Sequence, residues 1–363
     1  MLETYFIYNL MLLISVVFAL ISEYTKKHRN IFIFFSFFSL LFFCAIRYDV
    51  GYDYDNYVSS FKEIYFNLNN NVINKSFWED SFYNHVCRFF SFTRKGYLLV
   101  FLFYATITLV FLYKVLIRKN ILSLGLFFFI CLNFLFISFD QMRQFSAITI
   151  FMYSTKYIER KELKNYIKYI LLASIFHVSA LSLIPFYLIA KLEIKIRLGL
   201  GMLLIAVYGY FSGTWEELRE GFYSLIPYYN FYLEYSNALE SATLNSIFGV
   251  LYLLIISLIS MYFAQKKQNK VLYFTSTFGI IIYLFASNNL NIYRISNFFL
   301  VFLCVSIPLL IKEKKRSFNI YTIFFISTAF IMFQLNIKNS PRGTSPYKTI
   351  FSSDSKKEIF RID

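Results

Sequence analysis

Apolar runs of about 16 to 22 residues recur along the whole chain, close to the ~20 residues a helix needs to cross a hydrocarbon core about 30 Å thick. That repetition makes the bilayer the solvent of this protein. The composition agrees: 58% of residues are hydrophobic, 22% aromatic and only 16% charged, far from a soluble domain. The expectation is an all-α polytopic integral membrane protein of about eleven or twelve transmembrane helices, one pair broken or folded as a hairpin, with large external loops. It reads as a single transmembrane domain over residues 1–337, external loops at 47–95 and 213–245, and an external tail over 338–363. Before the first run stands only Glu3 and no basic segment, so that run reads as a retained span rather than a cleaved signal.

The chain carries 36 Lys and Arg against 21 Asp and Glu, a net charge of +15. These cations sit in short clusters between apolar runs and not on one continuous face, which fits membrane topology better than nucleic-acid binding. Basic clusters that flank spans mark the cytoplasmic side. The cluster at Glu23 to Arg29 therefore faces inward, and the polar stretch Arg47 to Lys95 faces outward. Arg118-Lys119 and Glu159 to Lys164 return inside. A single helix over Tyr166 to Ala190 would put Lys191, Lys195 and Arg197 outside, so a turn near Phe176-His177-Val178-Ser179 is expected instead. The later basic segments, Gln265 to Lys270 and Lys312 to Asn319, then also lie inside. The loop Gly213 to Asn245, with Glu216, Glu217, Glu220, Glu234 and Glu240, lies outside. By this scheme the inner loops hold about twenty basic and five acidic residues while the outer ones are near neutral. Cys44, Cys131 and Cys304 lie inside apolar runs and Cys87 stands alone, so neither a disulfide framework nor a thiolate metal site is expected.

Ionisable residues in or against apolar spans are costly, so each needs a reason. Arg47 opens Arg47-Tyr48-Asp49-Val50-Gly51-Tyr52-Asp53-Tyr54-Asp55-Asn56-Tyr57, where a cation, carboxylates and flat aromatics crowd together. A guanidinium fork grips phosphate or carboxylate oxygens bidentately, tyrosine faces stack on sugar rings, and Asp can hold a sugar hydroxyl or take its proton. The plainer alternative is that Arg47 snorkels to the interface and pairs with Asp49 or Asp53. Asp53-Tyr54-Asp55 also has the form of a metal-binding acidic pair, but nucleotide sugars are cytoplasmic and this loop faces away, so no metal is expected. Arg143 with Asp140 and Gln144 sits between two spans with almost no loop, as a diphosphate ligand or a local ion pair. His177, with Ser174, Ser179 and Ser182 nearby, is a general base or a hydrogen-bonded core histidine. Arg294 lies just inside a span after Asn288-Asn289-Leu290-Asn291. Arg47, Arg143, Arg294 and Arg342 all map to one membrane face, which suits an anionic diphosphate. No Walker A loop, dinucleotide fingerprint, His-Glu-x-x-His or Gly-x-Ser-x-Gly occurs, which weakens ATP-driven transport and simple hydrolysis.

Four stretches resemble the EpsG-like and Wzy-type polysaccharide polymerases of bacterial O-antigen, capsule and exopolysaccharide assembly. They are Arg47-x-x-x-Gly51-x-Asp53-Tyr54-x-x-Tyr57, Met142-Arg143-Gln144-Phe145-Ser146-Ala147, Ala173-Ser174-x-Phe176-His177-x-Ser179-Ala180-Leu181 with Pro185, and Tyr293-Arg294-Ile295. The resemblance implies a glycosyltransferase of the bacterial inner membrane, with a GT-C-like arrangement of helices, acting in lipopolysaccharide or other surface-polysaccharide biosynthesis. It would join undecaprenyl-diphosphate-linked oligosaccharide repeat units at the periplasmic face. Its partners would be that lipid-linked glycan, membrane lipid and a chain-length regulator protein, with no nucleic acid and no cofactor. Arg143, Arg294 and Arg47 would bind diphosphate, joined by Arg342, with Tyr54, Tyr57 and Gln144 on the glycan and Asp53 or His177 as base. The rivals are a flippase for the same lipid-linked glycan, a membrane acyltransferase with His177 as base, and a scaffold. Transporters usually show internal repeats, and none is visible here.

Overall fold

The computed structural model describes residues 2–69, 82–193, 195–224, 247–286, 289–313, 320–340 and 342–351. Glu234, Glu240, Asn288, Pro341 and the expected inner segment from 314 to 319 lie outside these residues. The described residues are mainly helical, in the order α1 (Leu2–Tyr24), α2 (Arg29–Ala45), α3 (Tyr54–Asn69), α4 (Phe82–Phe90), α5 (Tyr97–Arg118), α6 (Leu122–Cys131), α7 (Phe134–Asp140), α8 (Met142–Glu159) and α9 (Leu163–Phe176). A 3-10 turn (Val178–Leu183) leads to α10 (Phe186–Ile189), α11 (Ile196–Ser212), α12 (Thr214–Ser224), α13 (Ile247–Lys266), α14 (Lys270–Ala286), α15 (Leu290–Leu300), α16 (Leu303–Glu313) and α17 (Ile320–Asn339). One antiparallel pair of two-residue strands, β1 (Arg47–Tyr48) and β2 (Lys348–Thr349), joins positions far apart in sequence.

Four helical stretches are long and apolar enough to cross a membrane: Leu2–Tyr24, Tyr97–Arg118, Gly249–Lys266 and Ile292–Glu313. A fifth is counted if the pair α6 and α7, bent by 59°, is one span. Among the described residues this is fewer than the expected count, because other apolar helices, such as α2, α11 and α14 at 17 residues each, are shorter. The expected single span over 121–139 is broken where Asn133 takes a left-handed φ of 67°, a conformation that asparagine tolerates far better than the β-branched and aromatic residues around it. The break expected near Phe176 is present. His177 is extended (φ −154°, ψ 120°) and Pro185, which has no N–H to donate, stands at the start of α10.

Two compact units divide the chain: unit 1 is Met1–Lys156, Lys164–Ile184 and Ile326–Asp363, and unit 2 is Tyr157–Leu163 and Pro185–Phe325. In unit 1, hydroxyls tie helices together: Ser36 Oγ donates to the Ser15 carbonyl (2.7 Å) and lies 2.8 Å from Tyr113 Oη, linking α2 to α1 and α5. Asn9 and Gln334 exchange amide contacts between α1 and α17. The described residues of the segment expected as an outer polar loop, 47–69 and 82–95, include two helices, α3 and α4, that form a cap on α5. Tyr54, Val58 and Phe61 on α3, and Tyr83, Val86 and Cys87 on α4, have helical spacing and bury one face with Val100, Phe101 and Tyr104 of α5. In unit 2, Ser260 Oγ lies 2.6 Å from both Ser276 Oγ and Ser306 Oγ, so a hydroxyl cluster joins α13, α14 and α16. Trp215 at the start of α12 donates its indole N–H to the Ala206 carbonyl (2.9 Å), packing where Gly209 has no Cβ to obstruct it.

Candidate functional site

Where α2 ends, the backbone enters β1 and then turns sharply, with Asp49 at φ 50° and Gly51 at φ 101°. Glycine is needed at 51 for two reasons: the φ suits no side-chain-bearing residue well, and a Cβ there would lie 2.7 Å from Asp140 Oδ1. The turn wraps the Arg47 guanidinium. It sits 4.8 Å from the Phe101 ring centroid and 4.4 Å from that of Phe139, and donates to the carbonyls of Val50 (3.4 Å) and Phe139 (3.2 Å). At 2% exposure Arg47 does not snorkel. Burial draws its pKa down from the ordinary arginine value, and the Asp140 carboxylate is among the groups that oppose this. A cavity of about 20 Å³ lies beside it, lined in part by Cys44, Tyr104 and Thr108.

Asp140, the last residue of α7, is the electrostatic centre of this arrangement. Its side chain is 6% exposed and accepts from Arg342 Nη1 at 3.3 Å. The local pair with Arg143 suggested by their proximity in sequence gives way to this contact across 202 positions. The Asp140 backbone carbonyl accepts from Tyr57 Oη (3.0 Å), and the Tyr57 carbonyl accepts from Tyr83 Oη (3.0 Å). Arg143, half-buried on the first turn of α8, lies 5.3 Å from the Tyr83 ring centroid. Cation and aromatic groups from α3, α4, α7, α8 and the C-terminal segment thus meet at one end of unit 1.

A strap over residues 342–350 closes that end. Gly51 N–H donates to the Gly343 carbonyl (3.0 Å), and Ile350 N–H to the Ile46 carbonyl (2.9 Å). Lys348 Nζ pairs with Asp49 at 2.8 Å. Tyr8 Oη donates to the Thr344 carbonyl (2.6 Å), Tyr347 N–H to Thr4 Oγ1 (3.1 Å), and Tyr347 Oη to the Phe43 carbonyl (2.7 Å). The buried Tyr347 hydroxyl has its pKa raised, by burial first.

The other sequence-predicted residues divide in their placement. Asp53 is half-buried immediately before α3, its backbone carbonyl accepting from Tyr57 N–H and its side chain from Asn56 Nδ2 at 3.4 Å. It is also among the charges that act on Asp140. Tyr54 is only 3% exposed, its ring against Tyr48 and Phe101, so its faces serve packing. Gln144 is 3% exposed. His177 Nδ1 lies 2.6 Å from Ser179 Oγ, and its neighbour Phe176 packs against Phe82 of α4 and Tyr104 of α5, which brings the 176–179 break to the cap. Arg294 belongs to unit 2, half-buried on α15, whose start is capped by Asn289 accepting from Ile292 N–H at 3.1 Å. The role of Asp140 toward Arg342, the exposed ring of Tyr52 beside Gly343, and the strap itself were not read from sequence.

No curated protein and no solved structure matches the chain. The model of the EpsG family matches residues 30–349, which takes in Arg47, Asp140, Arg143, His177, Arg294 and Arg342. With the match extending over most of the chain and ending within β2 of the strap, the chain belongs to the EpsG family, as a multi-pass membrane protein of the polysaccharide-polymerase type.

Proposed function

We propose that the protein is a membrane glycosyltransferase that polymerises undecaprenyl-diphosphate-linked oligosaccharide repeat units at the periplasmic face of the bacterial inner membrane. In the reaction the acceptor sugar's hydroxyl oxygen attacks the donor's anomeric carbon. The bond from that carbon to the lipid diphosphate breaks, and its electron pair leaves with the diphosphate. The acceptor proton passes to a base. Negative charge grows on the leaving group, so cations placed there before reaction lower the barrier.

The observation that carries this reading is the gathering of Arg47, Asp140, Arg143 and Arg342 at one end of unit 1. Arg143 and Arg342 are half-buried and so within reach of a ligand, and they are assigned to diphosphate. Arg47, enclosed by two rings, is assigned to holding the turn that presents Tyr52 and Asp53. The proton acceptor is Asp53 or His177, and Asp53→Asn compared with His177→Ala decides between them. In Arg143→Ala and Arg342→Ala strains, membrane-inserted protein should accompany lipid-linked single repeats at the outer leaflet with no polymer ladder on a gel. A normal ladder in both would refute the assignment. Arg294→Ala is scored separately, since that residue stands in the other unit.

A further inference from the structure

Unit 2 contains a concave surface with different chemistry. A cleft of about 720 Å³ is lined by Lys161, Lys191, Lys267 and Lys270 together with Glu159 and Asn269. Its volume falls within the range of small-ligand sites. The four lysines come from three separate places along the chain: Lys161 between α8 and α9, Lys191 after α10, and Lys267 and Lys270 where α13 gives way to α14, Lys270 being its first residue. Their convergence also bears out the turn at His177, since a chain that crossed once between Lys161 and Lys191 would leave these two at opposite ends.

The lysines are held in place. Lys270 Nζ donates to the Lys191 carbonyl at 2.7 Å, Lys267 pairs with Glu313, and Lys191 Nζ lies 4.2 Å from the Tyr187 ring centroid. Lys161 is exposed at a left-handed turn position with φ 62°. Even with Glu313 counted against Lys267, four ammonium groups meet two carboxylates, Glu159 and Glu313, so the cleft favours an anion. Ile158, Ala190 and Val271 add apolar wall, and Leu188 and Leu192, next to Lys191 in sequence, are 65% and 58% exposed. A small inorganic anion has no use for exposed leucines. An anion that carries hydrocarbon chains does, since its head can meet ammonium while its chains lie along leucine.

We propose that this cleft binds the phosphate of an anionic phospholipid headgroup, on the side of the membrane that the basic loops mark as cytoplasmic. The site shares no residue with the Arg47 end of unit 1 and is independent of the polymerase reading. The test uses the full chain in neutral detergent, with phosphatidylglycerol, phosphatidylcholine and inorganic phosphate as probes, read by lipid retention in native mass spectrometry and by thermal melting. Wild type should bind phosphatidylglycerol roughly 25-fold more tightly than phosphatidylcholine, as expected if Lys161 and Lys191 each contribute roughly a fivefold factor. The pair K161Q/K191Q, at two exposed positions, should bring the two lipids to within about twofold while melting normally without lipid. K161R/K191R should keep the preference. Equal binding of both lipids by wild type, an undiminished preference in the Gln pair, loss of preference in the Arg pair, or displacement of phosphatidylglycerol by millimolar inorganic phosphate would each overturn the proposal.

Discussion

A carboxylate as enclosed as Asp140 persists as an ion only beside cations and hydrogen-bond donors, and Arg342 at 3.3 Å supplies the closest. Because both side chains are largely withdrawn from water, the pair should couple more strongly than a surface ion pair. An Asp140→Asn and Arg342→Gln double-mutant cycle on detergent-solubilised protein should return a coupling of about 1–2 kcal/mol by chemical unfolding. A coupling near zero would mean that the contact is incidental. Gly51 gives a second prediction at this scale. In Gly51→Ala the methyl group must meet Asp140 Oδ1 at 2.7 Å and accept a φ of 101°, at a combined cost of about 1–3 kcal/mol. The variant should melt lower than wild type and lose the polymer ladder, whereas Gly221→Ala, inside α12 where a Cβ meets nothing within 4 Å, should melt no lower than wild type.

At the scale of elements, the strap fastens the Gly51 turn that leads into the cap. It adds β2 to β1, covers the Gly51 turn through Gly343, and is stitched to α1 and α2 by Tyr8, Thr4 and Tyr347. Ending the chain after Ser340 removes all of these contacts and the partner of Asp140. The truncated protein should still insert, since the apolar helices are intact, but Arg47 should become a tryptic site in detergent and polymer should disappear. Resistance at Arg47 in the truncated chain would show that the turn stands without the strap. How much of this was legible follows from the range of each interaction. Apolar length and charge flanks are local, so the spans and the turn at His177 could be read from sequence. The spacing Tyr54, Val58, Phe61 is equally local, yet it lies among polar residues, where the sequence pattern points to a loop; the burial of Tyr54 is its consequence. The bend at Asn133 depends on one left-handed residue inside an apolar run, and the union of Asp140 with Arg342 spans 202 positions, so no window of sequence displays it.

For the whole molecule, the reading rests on which ends face which side of the membrane, and native cysteines leave a clean background for asking. All four are buried and free. Cys87, the one in the cap, has its thiol pushed up to about 11, chiefly by burial. At pH 7.4 almost none of it is thiolate, and the thiolate is the species that reacts. Wild type should therefore take up little maleimide in intact membranes. Tyr52→Cys places a thiol at a position 53% exposed at the Arg47 turn, while Lys161→Cys and Lys191→Cys place thiols in the lysine cleft. A membrane-impermeant maleimide added to cells whose outer envelope is open should label Tyr52→Cys within minutes and spare both cleft variants until the inner membrane is permeabilised. The opposite pattern would put the Arg47 end of unit 1, with the diphosphate role proposed for its arginines, where the basic loops are expected. Labelling of Lys161→Cys and Lys191→Cys from different sides would break the convergence on which the lipid site is built.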